Sequence, residues 1–361
     1  MRPATTLSVV LTLTFIHFGD AAEQAQQNQP RRGRFTFEQF SARHDTNKDG
    51  KVERDEFKGA PQWFRWLDQN GDGIVTADEF QKRTQRDGRQ QPSGGRRLPE
   101  GVKALRDLEY ANVDGQSLKL DLYLPDKSET TPPLLVWIHG GGWTKGSKSQ
   151  FNPMFVRLTA EGYAAASIDY RLDGLTSHPK QIYDCKGAIR WLRANADSYG
   201  YDVTRIGVGG GSAGGHLVLL LGLSSGVAEL EGDVGGNLDQ SSQVHAIVDL
   251  FGPSALSLFA KKSDHFRNNI APGLLKSASP VTYLTKDDPP LLIFHGDKDE
   301  LVPLSQSEHV HKLYQEMGME SSLHVIEGAG HGGPQFSDPA QYELVKEFFA
   351  RHIKLVAGEG G

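Results

Sequence analysis

The stretch GVGGGSAGGHL, Gly207 to Leu217, matches two glycine-rich patterns, each of which occupies a sharp turn between a strand and a helix. The first is G-x-G-x-x-G, starting at Gly209, whose backbone N–H groups cradle a dinucleotide phosphate. The second is G-x-S-x-G, on Gly210, Ser212 and Gly214, whose turn exposes a nucleophilic serine. Because the local sequence fits both patterns, the rest of the chain must decide between them.

The phosphate interpretation makes two demands that the chain does not meet. The motif should open the first strand–helix–strand unit, and an acidic residue should follow at a strand end about 20 residues later. Here several strand-like runs precede the motif. The acidic residues at that distance, Glu229, Glu231 and Asp233, lie in the glycine-rich stretch VAELEGDVGGN. The sequence therefore argues against a dinucleotide site.

The serine interpretation predicts a carboxylate and then a histidine farther along the chain, each after a buried strand. HGDKDELVP (His295–Pro303) and EGAGHGG (Glu327–Gly333) both follow apolar, strand-like runs. Upstream, HGGGW (His139–Trp143) directly follows LLVWI, where enzymes with this serine turn build their oxyanion hole. Four elements in the expected order favour a nucleophilic serine at Ser212.

Apolar runs and helical stretches alternate from about residue 101 onward. Strands are predicted at Leu118–Tyr123, Leu134–Ile138, Ala164–Ile168, Ile206–Val208, Ala246–Leu250, Leu291–Phe294 and Ser321–Ile326. Helices are predicted at Gln181–Ala196, Ala213–Leu223, Ser305–Met317 and Ala340–Ile353. Buried strands that alternate with helices indicate an α/β fold with a mostly parallel sheet covered on both faces.

The segment 101–361 resembles an α/β-hydrolase of the esterase/lipase group, and the resemblance runs from about residue 105 to 355. HGGGW and GGSAGG are similar to motifs of hormone-sensitive-lipase-like and related carbohydrate esterases. The stretch IYDCKGAIRWLRANADSYGYDVTRIGVGGGSAGGHL resembles most closely the secreted acetylxylan and feruloyl esterase-like group. The resemblance implies a mostly parallel sheet flanked by helices and a serine esterase activity.

Within this pattern Ser212 is the predicted nucleophile. His331 is the predicted general base, and afterwards the general acid toward the leaving alcohol. The family pattern HGxxDxxVP places the orienting carboxylate at Asp299, while Asp297 stays an alternative two residues away. His324 lies within a strand-like run and is predicted to be structural.

The oxyanion of the reaction is expected to bind the backbone N–H groups of Gly141, Gly142 and Ala213. His139 and His295 are expected to brace their loops rather than to react. For Trp143 of the HGGGW motif two roles stay open, since it can line the substrate pocket or serve in packing. Cys185, the only cysteine, falls on the apolar face of a predicted helix and is predicted to lie in the core.

Residues 35–84 contain two acidic segments of twelve residues with the same spacing. In DTNKDGKVERDE the predicted oxygen ligands are Asp45, Asn47, Asp49, the Lys51 carbonyl and Glu56. In DQNGDGIVTADE they are Asp68, Asn70, Asp72, the Ile74 carbonyl and Glu79. Alternate loop positions supply the roughly seven oxygens that Ca²⁺ prefers, and a glycine at position six allows the sharp turn. The segments resemble a pair of EF-hand loops, which implies two calcium sites.

The two loops begin only 23 residues apart, which leaves room for short helices between them. A structural or low-affinity calcium site is therefore expected, rather than an opening switch. Val52 and Val75, at position eight of their loops, are expected to pair in a short antiparallel bridge. The apolar side chains predicted to form the small core are Phe37, Phe40, Phe57, Phe64, Leu67 and Phe80.

The net charge, the N-terminal segment and residues 85–100 indicate where the protein is located and which partners it has. The 361 residues carry a net charge of −6, which gives no reason to expect a nucleic-acid partner. Arg2, the apolar run LSVVLTLTFIHF and the small residues after it predict a signal peptide over 1–22, and hence a secreted or periplasmic protein. The run is too short for a transmembrane span. Residues 85–100 are rich in Gly, Gln and Arg and predict a linker.

These features together predict a secreted serine carboxylic-ester hydrolase with a calcium-binding N-terminal module and no catalytic cofactor. A cover segment from Phe251 to about Leu284 lacks a long apolar helix, which favours an open cleft for an acylated polysaccharide or another bulky ester rather than a membrane lipid. The expected partner is therefore a small-molecule or polysaccharide ester substrate. A general carboxylesterase or lipase, or a peptidase with the same triad, is an alternative. A non-catalytic calcium-dependent binding protein on an inactive hydrolase scaffold is an alternative of another class. The oligomeric state stays open.

Overall fold

The structure is a computed structural model, and it describes residues 37–57, 64, 67–68, 70–80, 98–126, 128, 130–262 and 271–354. The predicted signal peptide (1–22) and all but the last three residues of the predicted linker (85–100) lie outside the described residues. The chain divides into two compact units, Met1–Gly95 and Arg96–Gly361. Each unit is described by itself.

The N-terminal unit contains a helix, α1 (Phe37–His44), and two very short strands, β1 (Val52–Glu53) and β2 (Ile74–Val75). Val52 pairs antiparallel with Val75, which confirms the predicted bridge between the acidic loops. Both valines are fully buried, and they join the predicted aromatic core. That core consists of Phe40, Val52, Phe64, Leu67, Val75 and Phe80, with Phe37 and Phe57 packed against it.

An eight-stranded sheet forms the centre of the C-terminal unit. Its strands are β3 (Val102–Val113), β4 (Gln116–Pro125), β5 (Pro133–Ile138), β6 (Ala164–Ile168), β7 (Asp202–Gly211), β8 (Ala246–Leu250), β9 (Leu291–Gly296) and β10 (Ser321–Ile326). In space their order is β10-β9-β8-β7-β5-β6-β4-β3. The six strands from β5 to β10 pair in parallel, and β4 pairs antiparallel with both β3 and β6. The predicted mostly parallel sheet is confirmed.

Helices cover the sheet and connect its strands. They are α2 (Pro153–Ala160), α3 (Lys180–Ala194), α4 (Ala196–Tyr199), α5 (Ala213–Leu223), α6 (Ala228–Glu231), α7 (Leu256–Lys262), α8 (Pro272–Ser277), α9 (Ser305–Glu316) and α10 (Pro339–His352). All eleven residues of α5 are buried, as expected for a helix that is apolar on every side. Helix α3 also buries polar side chains, among them Asp184, Lys186 and Arg190.

Two apolar layers lie on opposite faces of the sheet. Along β5, Leu134, Val136 and Ile138 belong to one core cluster, whereas Leu135 and Trp137 belong to the other. This alternation follows from the two-residue period of a strand, and both faces of the central strands are buried. Cys185 on α3 is fully buried in the first layer, as predicted.

The antiparallel edge strand β3 was not predicted. Its pairing with β4 shifts register between Leu105 and Leu108 and again between Glu109 and Ala111. At the first shift Asp107 has a positive φ of 58°. Such bulges interrupt the alternation of apolar and polar residues on which a strand prediction depends.

The cover segment after β8 is built from short pieces. It contains α7, α8 and a 3₁₀ turn at Pro280–Tyr283, while residues 263–270 lie outside the described part. The described parts of these two helices have seven and six residues. In the described parts of the chain, no helix has the length and apolar character to cross a membrane.

Candidate active site

Ser212 occupies the sharp turn between β7 and α5, with φ of 57° and ψ of −119°. This conformation is costly for a residue with a side chain, and it persists where the surroundings hold it. The neighbours must be small, since a Cβ at Gly210 would lie 2.4 Å from Gly214 O, and one at Gly214 would lie 2.1 Å from Ile138 O. The Ser212 N–H donates to Leu250 O at 2.9 Å, which ties the turn to β8.

Ser212, His331 and Asp299 form one hydrogen-bonded chain at the carboxyl edge of the sheet. His331 Nε2 lies 2.8 Å from Ser212 Oγ, and His331 Nδ1 lies 2.7 Å from Asp299 Oδ2. Because an ionised carboxylate only accepts, Nδ1 carries the proton and Nε2 is left to accept from the serine hydroxyl. The order nucleophile, base and orienting carboxylate is the one that a serine triad requires.

Asp299 is held in its ionised form by a set of donors. Its Oδ1 accepts from the N–H groups of Leu301 and Val302, both at 2.9 Å, and its Oδ2 also lies 3.3 Å from His295 Nε2. Burial by itself would raise the pKa of Asp299, but hydrogen bonds from His295 and His331 outweigh burial and hold that pKa well below its usual range. A negative charge is therefore fixed beside His331 at neutral pH.

The alternative carboxylate and the alternative histidine have other partners. Asp297 Oδ1 accepts from Gly328 N at 2.6 Å, and its Oδ2 lies 3.3 Å from Lys298 Nζ. Asp297 thus ties together the two loops that carry Asp299 and His331. His324 lies in β10, where its ring stacks on Phe294 with centroids 5.4 Å apart.

The loop after β5 has an unusual backbone. Gly141, Gly142 and Trp143 follow one another with φ values of 116°, 62° and 60°. Glycine adopts such values readily, while tryptophan does not. A Cβ at Gly141 would lie 2.0 Å from Lys145 O, so a side chain at this position would force the loop to move.

This loop passes directly beside the nucleophile. A Cβ built on Gly140 would lie 2.7 Å from Gly211 O and 3.4 Å from Ser212 Cβ. Ala213, the third predicted donor, is the first residue of α5, and the N–H groups at a helix start have no acceptor within the helix. The structure thus brings both Ala213 and the glycine loop next to Ser212.

His139 and His295 brace their loops, as predicted. His139 Nδ1 donates to Gly140 O at 2.7 Å, and its ring stacks on Tyr170 with centroids 4.3 Å apart. The Tyr170 hydroxyl in turn donates to His139 O at 3.0 Å. His295 is fully buried, and its Nε2 donates to Val302 O at 2.8 Å.

Ser212 and His331 line a cleft of about 960 Å³ whose lining is both apolar and polar. Trp143 lines this cleft although its side chain is almost fully buried, so it serves both of the roles that the sequence left open. The apolar lining residues include Phe251, Pro253, Phe259, Leu301 and Val302. The polar lining residues include Thr144, Lys145, Gln150, Asp173 and Thr176.

Phe251 is a site residue that the sequence analysis missed. It has a positive φ of 48° directly after β8, and its ring lies 4.8 Å from the His331 ring. Its N–H donates to Phe294 O at 2.8 Å. An aromatic residue immediately after a strand at the carboxyl edge was the available signal.

The first aspartate of each acidic loop folds the loop around itself. Asp45 Oδ2 accepts from Gly50 N, and Asp68 Oδ2 accepts from Gly73 N, both at 3.0 Å. The two glycines have φ values of 83° and 82°, which only glycine adopts without strain. The predicted glycine turns at position six are therefore present in both loops.

The last glutamate of each loop accepts hydrogen bonds within that loop, from its second residue in the first loop and from its ninth residue in the second. Glu56 Oε1 accepts from the N–H of Thr46 at 3.2 Å and from its hydroxyl at 2.8 Å, while Glu79 Oε2 accepts from the N–H and hydroxyl of Thr76 at 3.1 and 2.9 Å. The hydrogen bond from the Thr46 hydroxyl is the largest influence that lowers the pKa of Glu56. The twelfth position thus carries a carboxylate that is ionised at neutral pH in the first loop.

The donors in both loops are carboxylate, amide and carbonyl oxygens, which are the ligands that Ca²⁺ prefers. Within the described parts of the chain, no group of three or more His, Cys, Asp or Glu side chains converges closely enough to hold a metal ion. The loops fit calcium in donor chemistry and in turn geometry, but in the structure their carboxylates accept hydrogen bonds from their own backbone instead of converging on one point.

Family models match both units of the chain. The BD-FAE model matches residues 120–314. The EF-hand model matches residues 44–59 and 62–82. The first match includes Ser212 and Asp299, and the second includes both acidic loops.

Curated and solved proteins similar to this chain carry esterase names. Esterase LipC of Mycobacterium tuberculosis is 32% identical over 65% of this chain and 63% of its own length. A solved truncated form of a carbohydrate esterase from gut microbiota is 30% identical, with a TM-score of 0.60, over 69% of this chain and 95% of that one. Butyrate-bound esterase Est2 of Thermogutta terrifontis is 28% identical, with a TM-score of 0.61, over 73% and 100%. The chain spans 55–63% of the curated relatives LipC, LipQ and LipM.

Proposed function

This chain belongs to the BD-FAE family, and from that premise we propose that it is a serine carboxylic-ester hydrolase. The observation that carries the proposal is the hydrogen-bonded chain from Ser212 through His331 to Asp299, beside a glycine loop that approaches the serine. The esterase names of similar proteins support the same chemistry.

The reaction follows from the geometry of the triad. Ser212 Oγ attacks the ester carbonyl carbon while His331 Nε2 takes the hydroxyl proton. The carbonyl oxygen becomes an oxyanion and is stabilised by N–H groups of Gly141, Gly142 and Ala213. His331 then gives its proton to the leaving alcohol, which breaks the ester C–O bond and leaves an acyl group on Ser212. Water, activated by His331, releases the acid and restores the serine.

Two features support a bulky ester as the substrate. The cleft of about 960 Å³ is larger than a simple acetate needs, and its lining offers both polar groups for an alcohol rich in hydroxyl groups and apolar side chains for an apolar part. A carbohydrate esterase is among the similar solved structures. We therefore propose acylated carbohydrates or other bulky esters as substrates. A general carboxylesterase is the second candidate, and the apolar lining residues Phe251, Phe259 and Leu301 favour it.

For the N-terminal unit we propose two structural Ca²⁺ sites. Asp45, Asn47, Asp49, the Lys51 carbonyl and Glu56 would hold one ion, and Asp68, Asn70, Asp72, the Ile74 carbonyl and Glu79 would hold the other. Bound calcium would neutralise the crowded carboxylates of each loop and fix the loop fold. The predicted signal peptide at 1–22 supports the further proposal that the protein is secreted or periplasmic.

The test of the proposed activity is hydrolysis of phenyl acetate by the full chain and by Ser212→Ala. The wild type should hydrolyse the ester, and the variant should lose a factor of about 10⁴ or more in kcat, as expected when a triad nucleophile is removed. A panel of acetylated sugars then separates a carbohydrate esterase from a general one. A folded wild type that hydrolyses none of these esters would favour the non-catalytic alternative.

A further inference from the structure

The loop after β5, Gly140–Trp143, carries the proposed oxyanion donors and is called the oxyanion loop here. It is held by a side chain outside the triad. Trp143, the non-glycine residue in the loop with φ of 60°, points its indole Nε1 at His216 Nδ1, 3.2 Å away. The two rings lie edge to face at 90°, with centroids 5.2 Å apart. The exposed fractions are 6% for Trp143 and 1% for His216, so solvent does not compete for this hydrogen bond.

His216 is fixed from three sides. Its Nε2 lies 2.7 Å from Ala278 O, and since a carbonyl only accepts, Nε2 carries the proton. Its Nδ1 is then the acceptor that the Trp143 indole requires. Its backbone N–H donates to Ser212 O at 2.9 Å, so His216 sits one helical turn after the nucleophile. Burial lowers the pKa of His216 to about 4, which keeps the ring neutral at neutral pH.

The loop needs such an anchor. A non-glycine residue with positive φ persists only where its surroundings over-determine it. The Trp143 indole donates to His216, and the Trp143 carbonyl accepts from Gly174 N at 3.1 Å. Gly141 and Gly142 precede it directly and have no side chains of their own to hold them in place.

We propose that His216 is a positioning residue, which holds the Trp143 indole and thereby keeps the N–H groups of Gly141 and Gly142 directed at the oxyanion. The proposal rests on the proposed ester-hydrolase function. It also assigns a role to Ala278 of the cover segment, whose carbonyl fixes the His216 tautomer.

The test uses the full chain with His216→Leu, which removes both hydrogen bonds, and Trp143→Phe, which keeps an aromatic ring but removes the indole N–H. His216→Gln can still accept and donate, so it should restore part of the loss. His324→Gln is the matched control, because His324 packs on Phe294 away from the triad. The readouts are kcat and KM for phenyl acetate and the Ki of an aryl trifluoromethyl ketone, whose adduct with serine carries an oxyanion.

We expect His216→Leu and Trp143→Phe each to lower kcat about 10- to 100-fold with little change in KM, because misplaced donors weaken transition-state binding. The Ki of the ketone should rise by a similar factor. The double variant should be no worse than the worse single variant, since both remove one interaction. The control should keep its wild-type kcat.

The positioning role would be overturned if His216→Leu and Trp143→Phe fold and keep the wild-type kcat and Ki. It would also be overturned if the fold-losses in kcat of the two single variants multiply in the double variant. If His216→Leu shows no cooperative unfolding transition, it is not properly folded. In that case the same readouts on Trp143→Phe and His216→Gln decide the question. A wild type without esterase activity would instead contradict the proposed function, so the two failures are distinct.

Discussion

Ser212 and His331 are 119 residues apart in the chain and 2.8 Å apart in space, whereas the ligands of each acidic loop come from twelve consecutive residues. In the C-terminal unit, groups from separate loops meet because parallel strands end at one edge of the sheet. In the N-terminal unit, the proposed calcium ligands of each loop lie around one glycine turn. One site therefore depends on the whole fold, and the other on a short segment.

The triad and the acidic loops also differ in whether their functional groups are already arranged before a ligand binds. In the triad both hydrogen bonds, between Ser212 Oγ and His331 Nε2 and between His331 Nδ1 and Asp299 Oδ2, are already formed, at 2.8 and 2.7 Å. In the loops the carboxylates accept hydrogen bonds from their own backbone, as Asp45 does from Gly50 and Asp68 from Gly73. We infer that the catalytic site is preorganised, while the loops complete their geometry when calcium binds.

Asp299→Asn should have the largest effect of the changes that probe this preorganisation. An amide cannot hold the His331 tautomer, and the corresponding change in another serine hydrolase costs about 10⁴ in kcat. Asp297→Asn is the matched control two residues away, and it should stay within a few-fold of the wild-type kcat. Steady-state hydrolysis of phenyl acetate measures both. Equal losses in the two variants would contradict the assignment of Asp299.

Gly141→Ala should rank next. The new Cβ would lie 2.0 Å from Lys145 O at a φ of 116°, so the loop must shift and its donors lose their alignment. Loss of one oxyanion donor costs a factor of about 10²–10³ in kcat, and we expect a loss of this order.

Gly226→Ala provides the control for Gly141→Ala. It also has a positive φ, of 74°, but a Cβ there meets nothing within 4 Å. It should lower stability slightly and leave kcat unchanged. A fall in kcat for both variants would show that backbone strain alone, rather than the oxyanion loop, explains the effect.

Calcium should change the stability of the N-terminal unit and not the activity of the C-terminal unit. At 100-fold excess over its Kd, calcium should stabilise the N-terminal unit by about 3 kcal/mol, since it binds the folded loops. EGTA should therefore lower the unfolding temperature of that unit, followed by calorimetry, and leave the phenyl acetate kcat unchanged. Loss of turnover in EGTA with both units still folded would show that the two sites are coupled.

The smallest expected effect is a pH dependence of stability. Burial lowers the pKa of His216 and of His178 to about 4, against about 6.5 in an unfolded chain. Between these values the unfolded chain binds more protons, so stability falls as the pH falls from about 6.5 toward about 4. Asp249 acts in the opposite direction, because burial raises its pKa to about 7.

His216→Gln isolates one of these contributions. From pH 7 to 4.5 it should lose about 2 kcal/mol less unfolding free energy than the wild type, as measured by urea denaturation at each pH. The contribution of Asp249 cancels in this difference. Identical pH dependence in the two proteins would show that His216 is not held neutral by the fold.

The sequence predicted most of the sheet because its central strands are continuous apolar runs. Ala164–Ile168, Ala246–Leu250 and Ser321–Ile326 have the same bounds in the structure as in the prediction. The edge strand β3 was missed because two bulges break its alternation, and the predicted helix Gln181–Ala196 is divided at Asn195 into α3 and α4.

Some features of the site could be predicted from local sequence motifs, while others depend on contacts between distant parts of the chain. Motifs identified Ser212, Asp299 and His331, since each follows a recognisable strand. The contacts of Trp143 with His216 and of Phe251 with His331 span 73 and 80 residues of chain, and the motifs that contain Trp143 and His331 do not indicate which residue each of them contacts. Such pairs follow from packing around the cleft, which a single sequence does not display.

Covalent labelling of Ser212 tests the central claim most directly. The full chain is treated with an aryl phosphonofluoridate, with and without EGTA, and the labelled peptide is identified by mass spectrometry. The account predicts one label per chain, on Ser212, at the same rate in both conditions and strongly slowed in Asp299→Asn. A folded protein that takes no label, or takes it at another residue, would contradict the claim that the carboxyl edge of this sheet holds a preorganised serine nucleophile.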